Sequence, residues 1–160
     1  MLMARGTASG YSGALSAPTV TLSAVSAPTG TTAIANNTYY VYVTADAGIS
    51  STGFGESVVS TVQSATPSSQ VLKIQVADIQ GALGYNVYVG TTTGAANAKY
   101  QGTFKSNTCY VVGSSTTTGD VLVYSTSSSI VASRAASDTS AYATGYDGIL
   151  ATVLGANSGY

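Results

Sequence analysis

Hydrophobic positions alternate with smaller or polar positions along most of this chain. The clearest case is the segment Tyr39-Tyr-Val-Tyr-Val-Thr-Ala45. Its valines share one face with Tyr39, whereas Tyr40 and Tyr42 lie on the other face. A period of two residues is that of a β-strand, because successive side chains of a strand point to opposite faces. The pattern predicts a half-buried strand with its valines in a core.

The same alternation recurs in further segments that are separated by Gly, Pro and Ser/Thr turns. These predicted strands cover residues 19–25, 56–64, 71–76, 85–89, 100–104, 108–112 and 121–124. Short strands at this spacing are typical of a β-sandwich. We therefore predict an all-β fold, an antiparallel sandwich over residues 18–125. Six residues are expected to be buried together in its core: Val41, Val43, Leu72, Ile74, Val87 and Val89.

The segments that flank the predicted sandwich lack this alternation. Residues 1–17 are rich in Gly, Ser and Ala and are expected to form an extended arm, and residues 126–160 begin as a similar linker. Near the end, four apolar residues have the spacing of one face of a short helix: Ile149, Leu150, Val153 and Leu154. So short a helix is not stable alone. We therefore expect the arm and the tail to pack against other chains.

Charge is sparse in this sequence. Charged residues make up 7% of the chain and the net charge is −1, whereas about a quarter of residues is usual. The five cations are scattered, so binding of nucleic acid through its phosphates is not predicted. No apolar run is long enough for a membrane-spanning helix. The N-terminus also lacks a signal-peptide pattern, which fits a cytoplasmic product, a phage product released by lysis or a chain trimmed of its leader.

The residue types that most enzymes need are missing or scattered. The chain contains no His, which excludes Ser-His-Asp and Cys-His catalysis together with most zinc sites. Its six carboxylates are widely spaced, so no calcium-loop pattern is present. Its Gly-rich stretches lack the Gly-Lys-Ser/Thr ending of a phosphate loop. We therefore predict a protein that is not an enzyme, with no catalytic residue, no metal ligand and no cofactor.

Two single residues invite a functional interpretation, and each has a simpler one. Glu56, in Gly55-Glu-Ser57, is expected to lie in a turn or at the surface, as loop carboxylates usually do. Cys109 lies in a strand pattern and is expected to be a small buried hydrophobe. An intermolecular or reactive thiol is the alternative for Cys109.

Three tyrosines, Tyr40, Tyr42 and Tyr88, are predicted to point away from the core. They could form a carbohydrate platform or an interface patch, because the tyrosine ring is apolar and its hydroxyl group is polar. They could equally be cross-strand pairs that stabilise a sheet face. The sequence leaves both interpretations open.

Three motifs together resemble those of fibronectin type III and related Ig-like repeats: Tyr39-Tyr-Val-Tyr-Val-Thr-Ala45, Gly55-Glu-Ser57 and Gly81-Ala-Leu-Gly-Tyr-Asn-Val-Tyr88. In ordinary fibronectin type III domains the strand of the third motif precedes Gly-Glu-Ser, whereas here it follows. This order is similar to that of Ig-like modules in tailed-phage virion proteins. The tail segment Tyr146-Asp-Gly-Ile-Leu150 is also similar to a segment near such modules in some phage major capsid proteins.

The resemblance covers about residues 18–154. It implies a structural component of a phage particle, located in the virion, that acts by protein–protein assembly as a capsid decoration or cement protein or as an Ig-like domain of a capsid subunit. Its partners would be copies of itself and other virion subunits, without nucleic acid or membrane. Whole capsid subunits are far longer than 160 residues, so the chain would be part of one or a separate protein built on the same module. The alternative is a bacterial surface or secreted adhesion module that binds glycan or protein through its tyrosine face.

Overall fold

The computed structural model describes residues 15–46, 56–126 and 135–136. In these residues the regular structure is almost entirely β-strand, which confirms the all-β prediction. The ten strands are β1 (Val20–Val25), β2 (Thr31–Thr32), β3 (Tyr39–Asp46), β4 (Gln63–Ala65), β5 (Val71–Val76), β6 (Gly84–Gly90), β7 (Lys99–Phe104), β8 (Thr108–Val112), β9 (Ser114–Ser115) and β10 (Val121–Val123). The predicted strands 71–76 and 108–112 coincide with β5 and β8.

Two four-stranded sheets carry the fold. Sheet 1 has the strand order β1-β5-β8-β10 and sheet 2 the order β4-β3-β6-β7, while β2 and β9 form a separate two-stranded ribbon. Strands β1 and β4 lie along one side of the sandwich, and β7 and β10 lie along the other. The strand pairs are antiparallel except for β10, which runs parallel to β8. The fully antiparallel prediction is wrong at this pair, because residues 116–120 bring the chain back to the start of β8, where Asp120 accepts hydrogen bonds from the Lys105 and Ser106 amides.

The core lies between the two sheets and is built from the inward positions of both. Directly opposed pairs such as Val41 with Val89 and Leu22 with Ile74 set its register. The six predicted core residues are all buried in this one cluster, which confirms the predicted strand faces. Further buried members complete the core: Val20, Ile34, Tyr39, Ala45, Val76, Tyr85, Phe104, Cys109 and Val111.

Cys109 is fully buried in this core with its thiol reduced. Burial raises the pKa of the Cys109 thiol well above its ordinary value, and the nearby Asp120 carboxylate raises it further. A thiol in this state is a weak nucleophile, because the thiolate is the reactive form. The prediction of a small buried hydrophobe is confirmed.

The predicted strand over residues 56–64 is wrong for most of its length. Only β4 forms there, and Val58 and Val62 are 47% and 37% exposed. Residues 57–60 run along β3 but pair with it irregularly, because Ser57 N donates to Ala45 O while Ser60 N donates to Val43 O. The three residue steps from Ser57 to Ser60 therefore lie opposite the two steps from Ala45 to Val43 in β3. A bulge of this kind removes the alternation of a regular strand.

Parts of both flanking segments pack on the sandwich itself. Leu15, within the predicted arm, lies against the core, and Ala135 and Ala136, within the predicted tail, are buried. Ile149, Leu150, Val153 and Leu154 lie outside the described residues, so their association with other chains stays a prediction. In residues 15–46, 56–126 and 135–136 there is no helix with the length and apolar character that a membrane crossing requires.

Candidate functional site

A second, smaller cluster of buried side chains covers the outer face of sheet 2. Its fully packed members are Tyr42, Tyr88, Ala98 and Ala136, and four partly buried residues pack against them: Tyr40, Val59, Ala95 and Tyr100. We call these eight residues the tyrosine layer. Tyr42 and Tyr88 are directly opposed on β3 and β6, as cross-strand pairs are.

The tyrosine layer is not a surface platform. Tyr88 is 0% exposed and Tyr42 is 7% exposed, while Tyr40 is half-buried. Tyr42 and Tyr88 lie on the outer face of sheet 2, as predicted. They are not exposed there, so the interpretation of that face as an open glycan platform is wrong for these two residues. The chain itself covers them with three segments, namely residues 56–60, residues 91–98 and residues 135–136.

A bulge in β7 brings Tyr100 into this layer. Asn86 is opposite Thr103 and Val87 is opposite Gly102, but Tyr88 is opposite Tyr100, so one extra residue is inserted in β7. Because strand faces alternate, this insertion moves Tyr100 to the same face as Tyr88. The two rings then meet edge to face, with centroids 5.7 Å apart.

The loop 91–98 is the first cover of the tyrosine layer. The Gly94 amide donates a hydrogen bond to the Tyr42 hydroxyl oxygen at 3.0 Å, and Ala98 is buried against the rings. The Asn97 side chain holds the loop by donating to Thr93 O at 2.7 Å. A loop of small residues can lie this close to the tyrosines because it presents mainly backbone and methyl groups.

The second cover begins at Glu56, which is only 2% exposed. Its Oε2 accepts hydrogen bonds from the Thr44 hydroxyl at 2.6 Å and from the Tyr88 hydroxyl at 2.8 Å. The expectation of a turn or surface carboxylate is therefore wrong. Burying a carboxylate is costly, and hydrogen bonds to its charged oxygen offset that cost.

Two serines fasten this second cover to β3. The Ala45 amide donates to Ser57 Oγ at 2.8 Å and the Val43 amide donates to Ser60 Oγ at 3.0 Å. Ser57 and Ser60 amides donate back to the carbonyl oxygens of the same two residues. The serine hydroxyls thus accept the hydrogen bonds that backbone carbonyl groups of a regular neighbouring strand would accept. Val59, which lies between the two serines, packs into the tyrosine layer.

Polar side chains continue the outer face beside the tyrosine layer. Thr103 Oγ1 donates to Asn86 Oδ1, and the hydroxyls of Tyr100 and Thr103 are 2.7 Å apart. Asn86 is fully buried and lies opposite Thr44 on the neighbouring strand. Hydrogen bonds therefore connect side chains of β6 and β7 at this end of the face.

Ala135 and Ala136 form the third cover, which we call the strap. The Ala136 amide donates to Ala98 O at 3.0 Å, and Ala135 forms an antiparallel bridge with Lys99 at the start of β7. Ala136 is fully buried within the tyrosine layer. No sequence pattern predicts the strap, because two alanines in a Ser/Ala-rich stretch have no hydrophobic period.

The chemistry of this site is that of packing and hydrogen bonding between segments of one chain. In the part of the chain that the structure describes, no group of three or more His, Cys, Asp or Glu side chains is placed to hold a metal ion. No protein-family model matches this chain, and neither a curated protein nor a solved structure is significantly similar to it. The function is therefore inferred from the geometry of the tyrosine layer and from the resemblance of the three motifs.

Proposed function

We propose that this protein is a structural component of a phage particle, an Ig-like module that acts by protein–protein assembly. It serves as a capsid decoration or cement protein or as a domain of a capsid subunit, and it is located in the virion. The proposal rests first on the motifs that resemble phage Ig-like modules. One residue from each of the three motifs contributes to a single hydrogen-bonded group: Thr44, Glu56 and Tyr88.

This convergence is the observation that carries the proposal. Motifs of low specificity can match by composition alone, and such matches have no reason to meet in space. Here the hydroxyls of the first and third motifs donate to one oxygen of the carboxylate in the second. The likeness to phage modules is therefore supported by a shared structural task, which is to fasten residues 56–60 over sheet 2.

The surface also suits assembly. Among the described residues the large exposed hydrophobic side chains include Val58 and Val62, which lie on the same side of sheet 2 as its edge strand β4. Edge strands present backbone groups that can pair with another chain. With so few charges in the sequence, contacts between copies would depend little on ion pairs and would tolerate salt.

The alternative, an adhesion module that binds glycan through its tyrosine face, has less support. A ring that stacks on a sugar must expose its face, and Tyr42 and Tyr88 are buried beneath the chain's own segments. Only Tyr40 of the three predicted outward tyrosines is partly accessible. Adhesion would therefore need a different surface of the molecule.

Two measurements test the proposed function. Particles purified from the native source on a density gradient should contain this chain by mass spectrometry. The purified protein should also form regular oligomers by light scattering and electron microscopy without added glycan, and these should persist in 1 M salt, where the screening length is about 3 Å. A chain that is absent from particles and stays monomeric at every concentration would contradict the proposal.

A further inference from the structure

We propose that the strap is exchanged between copies of this protein. The edge of β7 at Lys99, with the tyrosine layer beneath it, is an acceptor site for an extended segment of small residues. In the assembled state, Ala135 and Ala136 of a second copy occupy it. This inference rests on the proposed assembly function and identifies the partner as a second copy of the chain.

The acceptor site is defined by backbone pairing and by a small buried space. Strand β7 is the outermost strand of sheet 2, and the strap adds to it through the Ala136–Ala98 hydrogen bond and the Lys99–Ala135 bridge. Backbone pairing of this kind does not depend on which chain supplies the segment. The buried methyl group of Ala136 supplies selectivity, because a larger side chain would have to displace the tyrosines.

The segment that connects the strap to the sandwich is long enough for exchange. At its near end, the Gln101 side chain holds Ser125, accepting from Ser125 N at 2.8 Å and donating to Ser125 O at 3.1 Å. Residues 127–134 separate Thr126 from Ala135. Nine extended steps span about 30 Å, roughly the diameter of a small domain. The strap can therefore reach the edge of an adjacent copy without unfolding either sandwich.

Exchange leaves the contacts of the strap unchanged. A strap from the same copy and a strap from a neighbour form the same bonds with Ala98 and Lys99, so the two states differ mainly in the entropy of the connecting segment. Exchange of an identical element is a low-cost route to association. High local concentration, as in an assembling shell, then favours the exchanged state.

A disulfide between two single-cysteine variants tests the exchange. Lys99 and Ala135 face each other beside the Ala136–Ala98 hydrogen bond. Their Cα atoms are then about 4.5 Å apart, as in antiparallel pairs without direct hydrogen bonds, and a disulfide can form at that separation. Lys99→Cys and Ala135→Cys are placed in separate full-length chains, one of which carries a size tag. The chains are mixed at high concentration and oxidised, and Cys109 is protected by its burial.

We expect a tagged–untagged disulfide dimer in several-fold excess over a control mixture of Lys99→Cys with Ser26→Cys, because Ser26 is exposed but belongs to no strap. Adding Ala136→Glu to the Ala135→Cys chain should reduce the dimer to the control level. A dimer yield at the control level for the original pair overturns the exchange. The double variant Lys99→Cys/Ala135→Cys must form its internal disulfide, which shows that both cysteines react.

Light scattering on the same mixtures separates this inference from the proposed function. Oligomers that lack the tagged–untagged disulfide would overturn strap exchange and leave assembly intact. Samples that remain monomeric at every concentration would overturn both. Oligomers that carry the disulfide, and that weaken when Ala136 is replaced by Glu, support both.

Discussion

The inner core and the tyrosine layer lie on opposite faces of the same sheet and are built in different ways. The inner core packs Val, Ile, Leu and aromatic side chains from two regular sheets against each other. In the tyrosine layer, three irregular segments pack over the tyrosine rings of sheet 2. Hydroxyl, amide and carboxylate groups lie within this layer or directly beside it. The inner core is stabilised mainly by apolar burial, whereas the outer layer also depends on specific hydrogen bonds.

This difference shows which regions of the molecule tolerate change. In the inner core any lost methylene leaves a cavity, but no single polar contact decides the fold. In the outer layer one lost hydroxyl leaves a buried acceptor without its donor. The inner core should therefore respond to side-chain volume and the tyrosine layer to side-chain chemistry.

The largest effect is expected in the inner core. Ile74→Ala should lower the free energy of unfolding by about 2–5 kcal/mol, because Ile74 is fully buried and the neighbouring strands relax only partly. Leu83→Ala is the matched control, since Leu83 is 65% exposed, and it should change stability by less than about 0.5 kcal/mol. Urea denaturation measures both, and a loss at Ile74 as small as the control would contradict the described core.

Gly102 affects both the inner core and the tyrosine layer. Gly102→Ala should therefore be the most damaging change after Ile74→Ala. Its φ is +150°, and an added Cβ would lie 2.6 Å from a methyl carbon of Leu122, which packs against the core. Backbone strain should cost about 1–3 kcal/mol, and displacement of the Leu122 methyl group should add to this cost. The change should also shift the near-ultraviolet tyrosine signal, because the bulge at Gly102 places Tyr100 beside Tyr88.

Gly119→Ala separates the two contributions at Gly102. Gly119 has a φ of +113°, but an added Cβ there would meet no atom within 4 Å. It should therefore cost only the backbone strain, about 1–3 kcal/mol. Equal losses at the two glycines would show that the contact with Leu122 does not matter.

Tyr88→Phe tests the hydrogen bonds of the tyrosine layer at almost constant volume. It removes the donor to Glu56 Oε2 and leaves the buried carboxylate with one fewer hydrogen bond, so a loss of about 1–3 kcal/mol is expected. Tyr110→Phe is the control on a half-buried tyrosine of sheet 1. The idea that polar contacts govern the outer layer fails if the two variants are equally stable.

Alkaline pH should weaken the inner core by a smaller amount. Burial, followed by the nearby Asp120, raises the pKa of Cys109, and burial raises the pKa of Tyr39 and Tyr124. A raised pKa in the folded state means that the stability is fully present below the unfolded pKa and is lost as pH rises. Between about pH 8.5 and 9.5 the unfolded thiol ionises and the folded thiol does not, so stability should fall by about 1 kcal/mol.

The Cys109→Ala variant is the control for this pH dependence. It should be less stable at pH 7 because a buried sulfur atom is lost, but its stability should stay nearly constant from pH 8 to 9.5. The further decline near pH 10, where tyrosines ionise in the unfolded chain, should remain. An unchanged slope in this variant would assign the alkaline loss to other groups.

The inner core was predictable because its signal is repeated along the chain. Period-two alternation placed β5 and β8 at their observed bounds and identified the buried side of β3. Strands β2 and β9 were missed because two residues carry no period. The parallel pairing of β10 was missed because alternation describes the faces of a strand and carries no information on its direction.

The tyrosine layer was predictable only in part. Alternation gave the side of the sheet for Tyr42 and Tyr88, but burial of that side depends on segments with no period. Ser57 and Ser60 pair through hydroxyl groups, and the strap is two alanines. One available signal was Gly102, since a glycine inside a strand often marks a bulge.

The parallel pairing of β10 with β8 has a mechanical consequence. Strand β1 is antiparallel to β5, β5 is antiparallel to β8, and β10 follows the direction of β8, so the first and last strands of sheet 1 point the same way. The chain therefore enters sheet 1 at one end of its strands and leaves it at the opposite end. Tension applied through these two ends would load the hydrogen bonds of sheet 1 in shear. The lifetime of the folded domain under such a load would be set by its unfolding rate.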